Sequence, residues 1–378
     1  MLIVYCLLLI VIMYIDRVHF YVDNAAKWRD WFVHIFGFQS IAGGSNSHTH
    51  TEVVSNSIKA TDFTVSPINF VLSSPLNNSS PVAHFLNFHP PGVADLAFAV
   101  TDLEGVMEKA IASGAKVLQP IQKREFPSGS LQWSQIIGPT SLKHSLVQRR
   151  GIAPLLPEDW ILKQELINLP ETKFTGIDHL VLNVAAGNLE PTVNWYQRVL
   201  GFQRKETFKI ETERSGLYSE VMVHPVSGVQ FPVNEPLSAN SQIQEFIEIN
   251  RGAGIQHLAL KTEAIAETTE QLRERGLSFL TVPREYYHSI KSSYPPNILS
   301  SQEWQAIMKQ EILVDYQPAN QEIEATNPLL LQIFSQPIFS QPTFFFELIQ
   351  RRRQARGFGE GNFRALFEAI EREQLKRS

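Results

Sequence analysis

Cysteine is nearly absent from this chain, which carries only Cys6 in 378 residues. A single thiol excludes intrachain disulfides and any multi-thiolate metal site, and leaves a reducing cytoplasm as the default location. Neither sign of charge is in excess. Lys and Arg total 33 against 38 Asp and Glu, a net charge of −5, so no nucleic acid or other polyanionic partner is indicated. Long apolar runs are missing apart from the first 15 residues, MLIVYCLLLIVIMYI. That run falls short of the roughly 20 residues needed to cross a bilayer. It also lacks the basic start and small-residue cleavage site of a secretory signal. We read residues 1–13 as an apolar leader outside the folded unit, with Met13 as an alternative translation start, and expect no stable membrane insertion. What is abundant is phenylalanine, 24 residues, which points to an aromatic interior in a chain long enough for two domains.

The chain repeats itself. IDRVHFYV from Ile15 matches IDHLVLNV from Ile177, GVADLAF from Gly92 matches GIQHLAL from Gly254, and both pairs lie 162 residues apart. SLVQRR from Ser145 matches ELIQRR from Glu347. Helical stretches ending in Gly37 and Gly201, and again in Gly114 and Gly276, fall at equivalent places. After the second pair come strand-like runs, AKVLQPI and LSFLTVP. Each half therefore reads as two modules of one design. The expected fold is α+β: two tandem domains, each of paired βαβββ modules forming a curved, open, barrel-like sheet with helices outside. We place a metal-free domain at 14–150, a proline-containing linker at 151–173 and a second domain at 174–378. Residues 284–328 are an insertion peculiar to the second half, with a helix capped by Ser300 and Glu303 and then a strand, ILVDY. GFGEGN reads as a flexible turn leading into a C-terminal lid helix at about 362–375, capped by Asn362.

The two copies differ where chemistry is possible. Arg17, Asp95 and Ser145 in the first half stand opposite His179, His257 and Glu347 in the second. Strand alternation turns His179 and His257 towards one face and their leucine neighbours towards the other. A lone strand histidine is more often a packed core residue than a ligand. Three such residues at equivalent module positions, all replaced in the other copy, are better explained by a metal. The Glu in FFFELI needs a partner, because an unpaired buried carboxylate costs several kcal/mol. Two imidazoles and a carboxylate suit Fe(II) with open coordination positions, and zinc is also compatible with such a set. His48 and His50 lie in a Gly/Ser/Asn-rich loop and read as surface residues, and Arg351, Arg352, Arg353 and Arg356 as a solvated or carboxylate-paired surface run.

At these residues the sequence resembles the 4-hydroxyphenylpyruvate dioxygenase family of the vicinal-oxygen-chelate superfamily. GIDHLVLN, SGLYSE, PVNEP, SQIQEFIEINRGAGIQHLALKTE, LRERGLSFLTVP, LLLQIFSQP, PTFFFELIQR and GFGEGNFRALFEAIEREQ carry the resemblance across 174–375, in the family's order. It implies Fe(II) held by His179, His257 and Glu347. It implies a reaction converting 4-hydroxyphenylpyruvate, an aromatic 2-oxo acid, and O₂ to homogentisate and CO₂, in a homodimer or homotetramer. It also implies catalytic roles for Gln242, Gln332 and Phe363, and substrate-binding roles for Ser219, Asn234, Gln256, Phe334 and Phe358, with Phe367 nearby. Amides of Gln242, Gln332 and Asn234 would bond the phenol hydroxyl, and Phe334 and Phe363 would grip the ring. Strand alternation alone turns Gln256 away from the His257 face. The alternatives are hydroxymandelate synthase, with the same ligands and substrate, a non-catalytic binder on the same fold, or an isomerase, for which a fourth ligand is missing.

Overall fold

The computed structural model describes residues 13–56, 67–158, 161–162, 173–212, 214–295, 297–316, 328–359, 362 and 370. The first half runs β1 (Met13–Tyr21), α1 (Ala25–Phe36), β2 (Gln39–Ser45), β3 (Thr49–Ser55), β4 (Asn69–Pro75) and α2 (Pro81–Phe88). It continues with β5 (Gly92–Val100), α3 (Leu103–Ala112), β6 (Lys116–Phe126), β7 (Gly129–Ile137) and β8 (Lys143–Gly151). A two-residue strand, β9 (Ile161–Leu162), follows within the expected linker and pairs with β2. The second half begins with β10 (Phe174–Asn183), α4 (Leu189–Leu200), β11 (Gln203–Glu211), β12 (Gly216–Val223), β13 (Gln230–Pro236), α5 (Gln242–Asn250), β14 (Gly254–Thr262) and α6 (Ile265–Glu274). Then come α7 (Arg284–Ser293), α8 (Ser301–Lys309), β15 (Leu313–Tyr316), β16 (Leu329–Phe334) and β17 (Phe345–Arg352). Residues 1–12 and Phe363 and Phe367 of the expected lid helix lie outside the described residues.

Local chemistry sets the elements. The Asn24 side chain accepts from the Lys27 amide to start α1, which buries Trp28, Phe32, Val33 and Phe36 and stops at Gly37 in the left-handed region (φ 67°). Its counterpart α4 stops at Gly201 (φ 75°). The capping box of Ser300 and Glu303 forms at the head of α8.

The sheets carry the same order. The first reads β6-β7-β8-β5-β1-β4-β3-β2-β9, and the second, from its other end, β15-β16-β17-β14-β10-β13-β12-β11. One edge departs from expectation. LSFLTVP does not form a strand equivalent to β6; only Phe279 bridges to Ser335, with Leu280 donating to Phe334 O. The chain then leaves the edge, forms α7 and α8, and returns as β15 to pair with the other end of β16. The insertion interrupts an edge strand without disturbing the sheet's order.

The halves share one core. Phe20, Phe32, Phe36 and Phe70 of the first half interlock with Phe344, Phe346 and Phe174 of the second, at ring separations such as 4.8 Å between Phe36 and Phe346. At another junction His144 on β8 reaches the Tyr196 hydroxyl at 2.9 Å and stacks on Trp195. The abundant phenylalanine thus forms the joint between the repeats.

Candidate metal centre

β10, β14 and β17 are adjacent, and they bring His179, His257 and Glu347 together. All three are buried, with at most 4% exposure. Glu347 Oε2 lies 3.2 Å from His179 Nε2 and 3.5 Å from His257 Nε2. Adjacent ligands bound at 2.0–2.2 Å would stand about 3 Å apart, so the donor set fits a single divalent cation with a face left open.

Charge at this centre is concentrated. Burial opposes protonation of His179, but the Glu347 charge and the bonds to Asp178 and Glu347 outweigh it and push its pKa up to about 9. Burial likewise works to raise Glu347, and the His179 charge and both imidazole bonds overcome it, holding the carboxyl to about 2. For His257 burial prevails and its pKa falls. Three buried donors thus leave a carboxylate that requires positive charge beside it.

Behind the ligands stands a support that sequence reading missed. His179 Nδ1 meets Asp178 Oδ1 at 2.9 Å, and Arg351 clamps Asp178 through Nε (2.8 Å) and Nη2 (2.7 Å). This carboxylate fixes the imidazole's orientation. Burial would raise the Asp178 pKa, but the Arg351 and His179 bonds carry it well below the usual range. Arg351 is therefore carboxylate-paired, and largely covered rather than solvated. It also donates to Gly357 O at 2.8 Å, so the turn expected to be flexible is tied down, with Gly357 and Gly359 in left-handed backbone. The signal was available, since Asp16 and Asp178 are shared by the two copies and precede the residues that differ.

A bulge corrects the reading of Gln256. Val181 pairs with His257 and the next residue, Leu182, with Ile255, so Gln256 is the extra residue on β14. Alternation breaks there, and Gln256 Oε1 comes to 3.4 Å from His257 Nδ1. Gln256 and Gln242 line a small pocket beside Phe345 and Leu280. Phe345, which strand alternation places on the Glu347 face, stacks on His257 at 4.7 Å. Phe358 meets His179 edge-on at 4.9 Å, and Phe334 approaches His257 at 6.4 Å.

Gln332 stands beside the Glu347 strand, as expected, and its amide is already engaged. Its Nε2 donates to Glu347 Oε1 (2.9 Å) and Phe358 O (3.3 Å), which engages the amide with the ligand and the tail. Ser219 and Asn234 pair across β12 and β13, and Asn183 pairs with Asn234 across β10 and β13. Ser219 Oγ, Asn234 Oδ1, Asn183 Nδ2 and Gln242 Oε1 are buried with no hydrogen-bond partner in the structure. Buried polar atoms are seldom left so, and a polar ligand group would satisfy them. Asn183 was legible as a member of the His179 face. His48 and His50 make separate bonds to Ser79 and to Ser45 and Glu52.

The doubled module and its three-donor centre define a vicinal-oxygen-chelate protein. The sequence agrees: 14–131 and 176–293, one stretch in each half, match the Glyoxalase/Bleomycin resistance protein/Dioxygenase superfamily. The chain is 33% identical over 377 residues to 4-hydroxyphenylpyruvate dioxygenase of Tetrahymena thermophila, covering 96% of this chain and 90% of that one. It is 35% identical over 381 residues to 4-hydroxyphenylpyruvate dioxygenase of Dictyostelium discoideum, covering 96% and 98%. A triple mutant of 4-hydroxymandelate synthase from Streptomyces coelicolor shares the fold at a TM-score of 0.79 and 25% identity, covering 95% and 98%. The chain belongs to the 4-hydroxyphenylpyruvate dioxygenase family and is a dioxygenase. Among the described residues no helix is long and apolar enough to cross a membrane.

Proposed function

We propose that the protein converts 4-hydroxyphenylpyruvate and O₂ to homogentisate and CO₂ with Fe(II) held by His179, His257 and Glu347. The observation that carries this reading is one concave face with metal donors at one end and unpartnered amide and hydroxyl groups at the other. His179 and Asn183 share a face of β10 and are about 13 Å apart along the strand, a span suited to a 2-oxo acid with a phenol ring. Fe(II), when bound, supplies the one-electron chemistry that activates dioxygen. The chain's own residues do the rest. Asn183, Ser219 and Asn234 receive the phenol hydroxyl, Phe334 and Phe345 wall the ring, and Gln242 and Gln256 line its approach. Burial of the three donors keeps water from the centre. Gln332 holds Glu347 rather than the phenol. The family resemblance assigns Phe363 to the ring and makes the protein a homo-oligomer, and the single cysteine favours a cytoplasmic location.

The test is anaerobic loading with Fe(II), followed by substrate, O₂ and product analysis. Homogentisate with one CO₂ is expected. Formation of 4-hydroxymandelate would replace ring attack by benzylic oxidation, the reaction suggested by the neighbouring synthase's name. Absence of O₂ uptake by loaded protein would leave only a binding role.

A further inference from the structure

The tail reaches the metal donors from two sides. Arg351 joins Gly357 to Asp178 behind His179, and a second path runs to Glu347. Along it Gln332 Nε2 donates to Glu347 Oε1 at 2.9 Å, and Asn362 Nδ2 donates to Gln332 Oε1 at 2.8 Å. The Tyr286 hydroxyl then stands 3.1 Å from Asn362 Oδ1. That hydroxyl is itself fixed by β15, accepting from the Val314 amide at 2.8 Å and lying 3.0 Å from Val314 O. Asn362 is fully buried. Gly359 (φ +70°) packs so closely that a Cβ there would sit 2.7 Å from Gln332 Oε1.

An amide can be placed two ways, and its neighbours decide which. Were Gln332 reversed, its oxygen would face Glu347 Oε1 and Phe358 O with no proton between them, and its NH₂ would face that of Asn362. Were Asn362 reversed, it would present an oxygen to the oxygen of Gln332. Each amide is thus aligned by the next, and Tyr286 ends the series on backbone. The result at Glu347 is a division of labour: Oε1 is occupied by Gln332, and Oε2 alone points at the two imidazole nitrogens.

We propose that Asn362 and Tyr286 are positioning residues for Glu347, acting through Gln332 to keep the carboxylate a one-oxygen ligand and so leave a coordination position open. The inference rests on the metal-centre reading above. Both residues lie in segments that the first half lacks, the insertion and the tail. By strand register Trp133 stands where Gln332 stands, since Gln135 pairs with Ser145 and Phe334 with Glu347.

The experiment is Co(II) binding to the full chain, read by visible absorption and by competition with a chelator, for the wild type, Asn362→Ala, Tyr286→Phe and the double variant. Asn362→Ala should weaken Co(II) about 10- to 100-fold, the range for lost outer partners of a ligand, and change the absorption band. Tyr286→Phe should do the same to a smaller degree. The double variant should be no worse than Asn362→Ala, because Tyr286 acts only through Asn362. Wild-type affinity and an unchanged band in both single variants would overturn the proposal, as would losses that simply add. Failure of the wild type itself to bind Co(II) would instead strike the metal-centre reading beneath it.

Discussion

The two halves answer the same electrostatic problem in opposite ways. Each has a bulged first strand, an aspartate at the bulge and an arginine from the last strand clamping it: Asp16 with Arg149, and Asp178 with Arg351. In the first half the next residue is Arg17, whose Nη1 meets Asp16 at 2.6 Å. Asp95 and Ser145 complete that centre, with Gln135 Nε2 within 3.5 Å of the aspartate. Burial raises the Asp95 pKa despite the Arg17 charge. Its positive charge is covalently built in. The second half replaces the guanidinium and the Asp95 carboxyl by imidazoles and the hydroxyl by a carboxylate, so its positive charge has to be taken up, as a proton on His179 or as a metal cation. The capacity of the second half to hold a metal therefore turns on three side chains set into a support that both halves retain.

Breaking the comparison most severely means removing the carboxylate. Glu347→Ala should stay folded but lose metal and turnover, by roughly three orders of magnitude or more, whereas Ser145→Ala should leave both near wild type. Metal content and O₂ uptake read this, and persistent O₂-dependent decarboxylation in Glu347→Ala would deny its role. Next come the paired supports. Asp178→Asn and Asp16→Asn should each lower stability by about 3 kcal/mol, since each takes the buried charge partner from a largely covered arginine. Only Asp178→Asn should also weaken metal binding, about 10- to 100-fold. Denaturant titration beside Co(II) titration separates the two, and equal metal loss from Asp16→Asn would mean the halves are coupled rather than parallel.

The smallest effect concerns acid. Burial holds His144 neutral, with its pKa lowered from 6.5 to about 4. A depressed value means its contribution is present above pH 6.5 and is lost as pH falls towards 4, because the unfolded chain takes up the proton first. By pH 5.5 the loss should be ~1.4 kcal/mol. Trp195, stacked on His144, reports it by fluorescence. A His144→Gln variant with the wild-type acid midpoint would rule this histidine out as the cause.

Much of this was legible in the sequence because the chain supplies its own control. Shared apolar positions gave the scaffold, and the three mismatches gave the donors. The same logic hid the support, because Asp178 and Arg351 match Asp16 and Arg149 and so read as scaffold. Gln256 was misplaced because alternation carries no mark of a bulge. LSFLTVP was misread because its apolar pattern equals that of AKVLQPI, while the break in the edge is decided by the insertion after it. The chain from Glu347 to Tyr286 joins residues 61 positions apart, and only the folded insertion and tail bring them together.

The aromatic joint has a consequence for handling the molecule. Since Phe20, Phe32 and Phe36 complete their packing only against Phe344, Phe346 and Phe174, neither repeat has a finished interior by itself. Cutting the polypeptide between 151 and 173 should yield two fragments that co-purify, and expressing either alone should give insoluble material, so the two repeats meet as the subunits of a dimer do, within one chain.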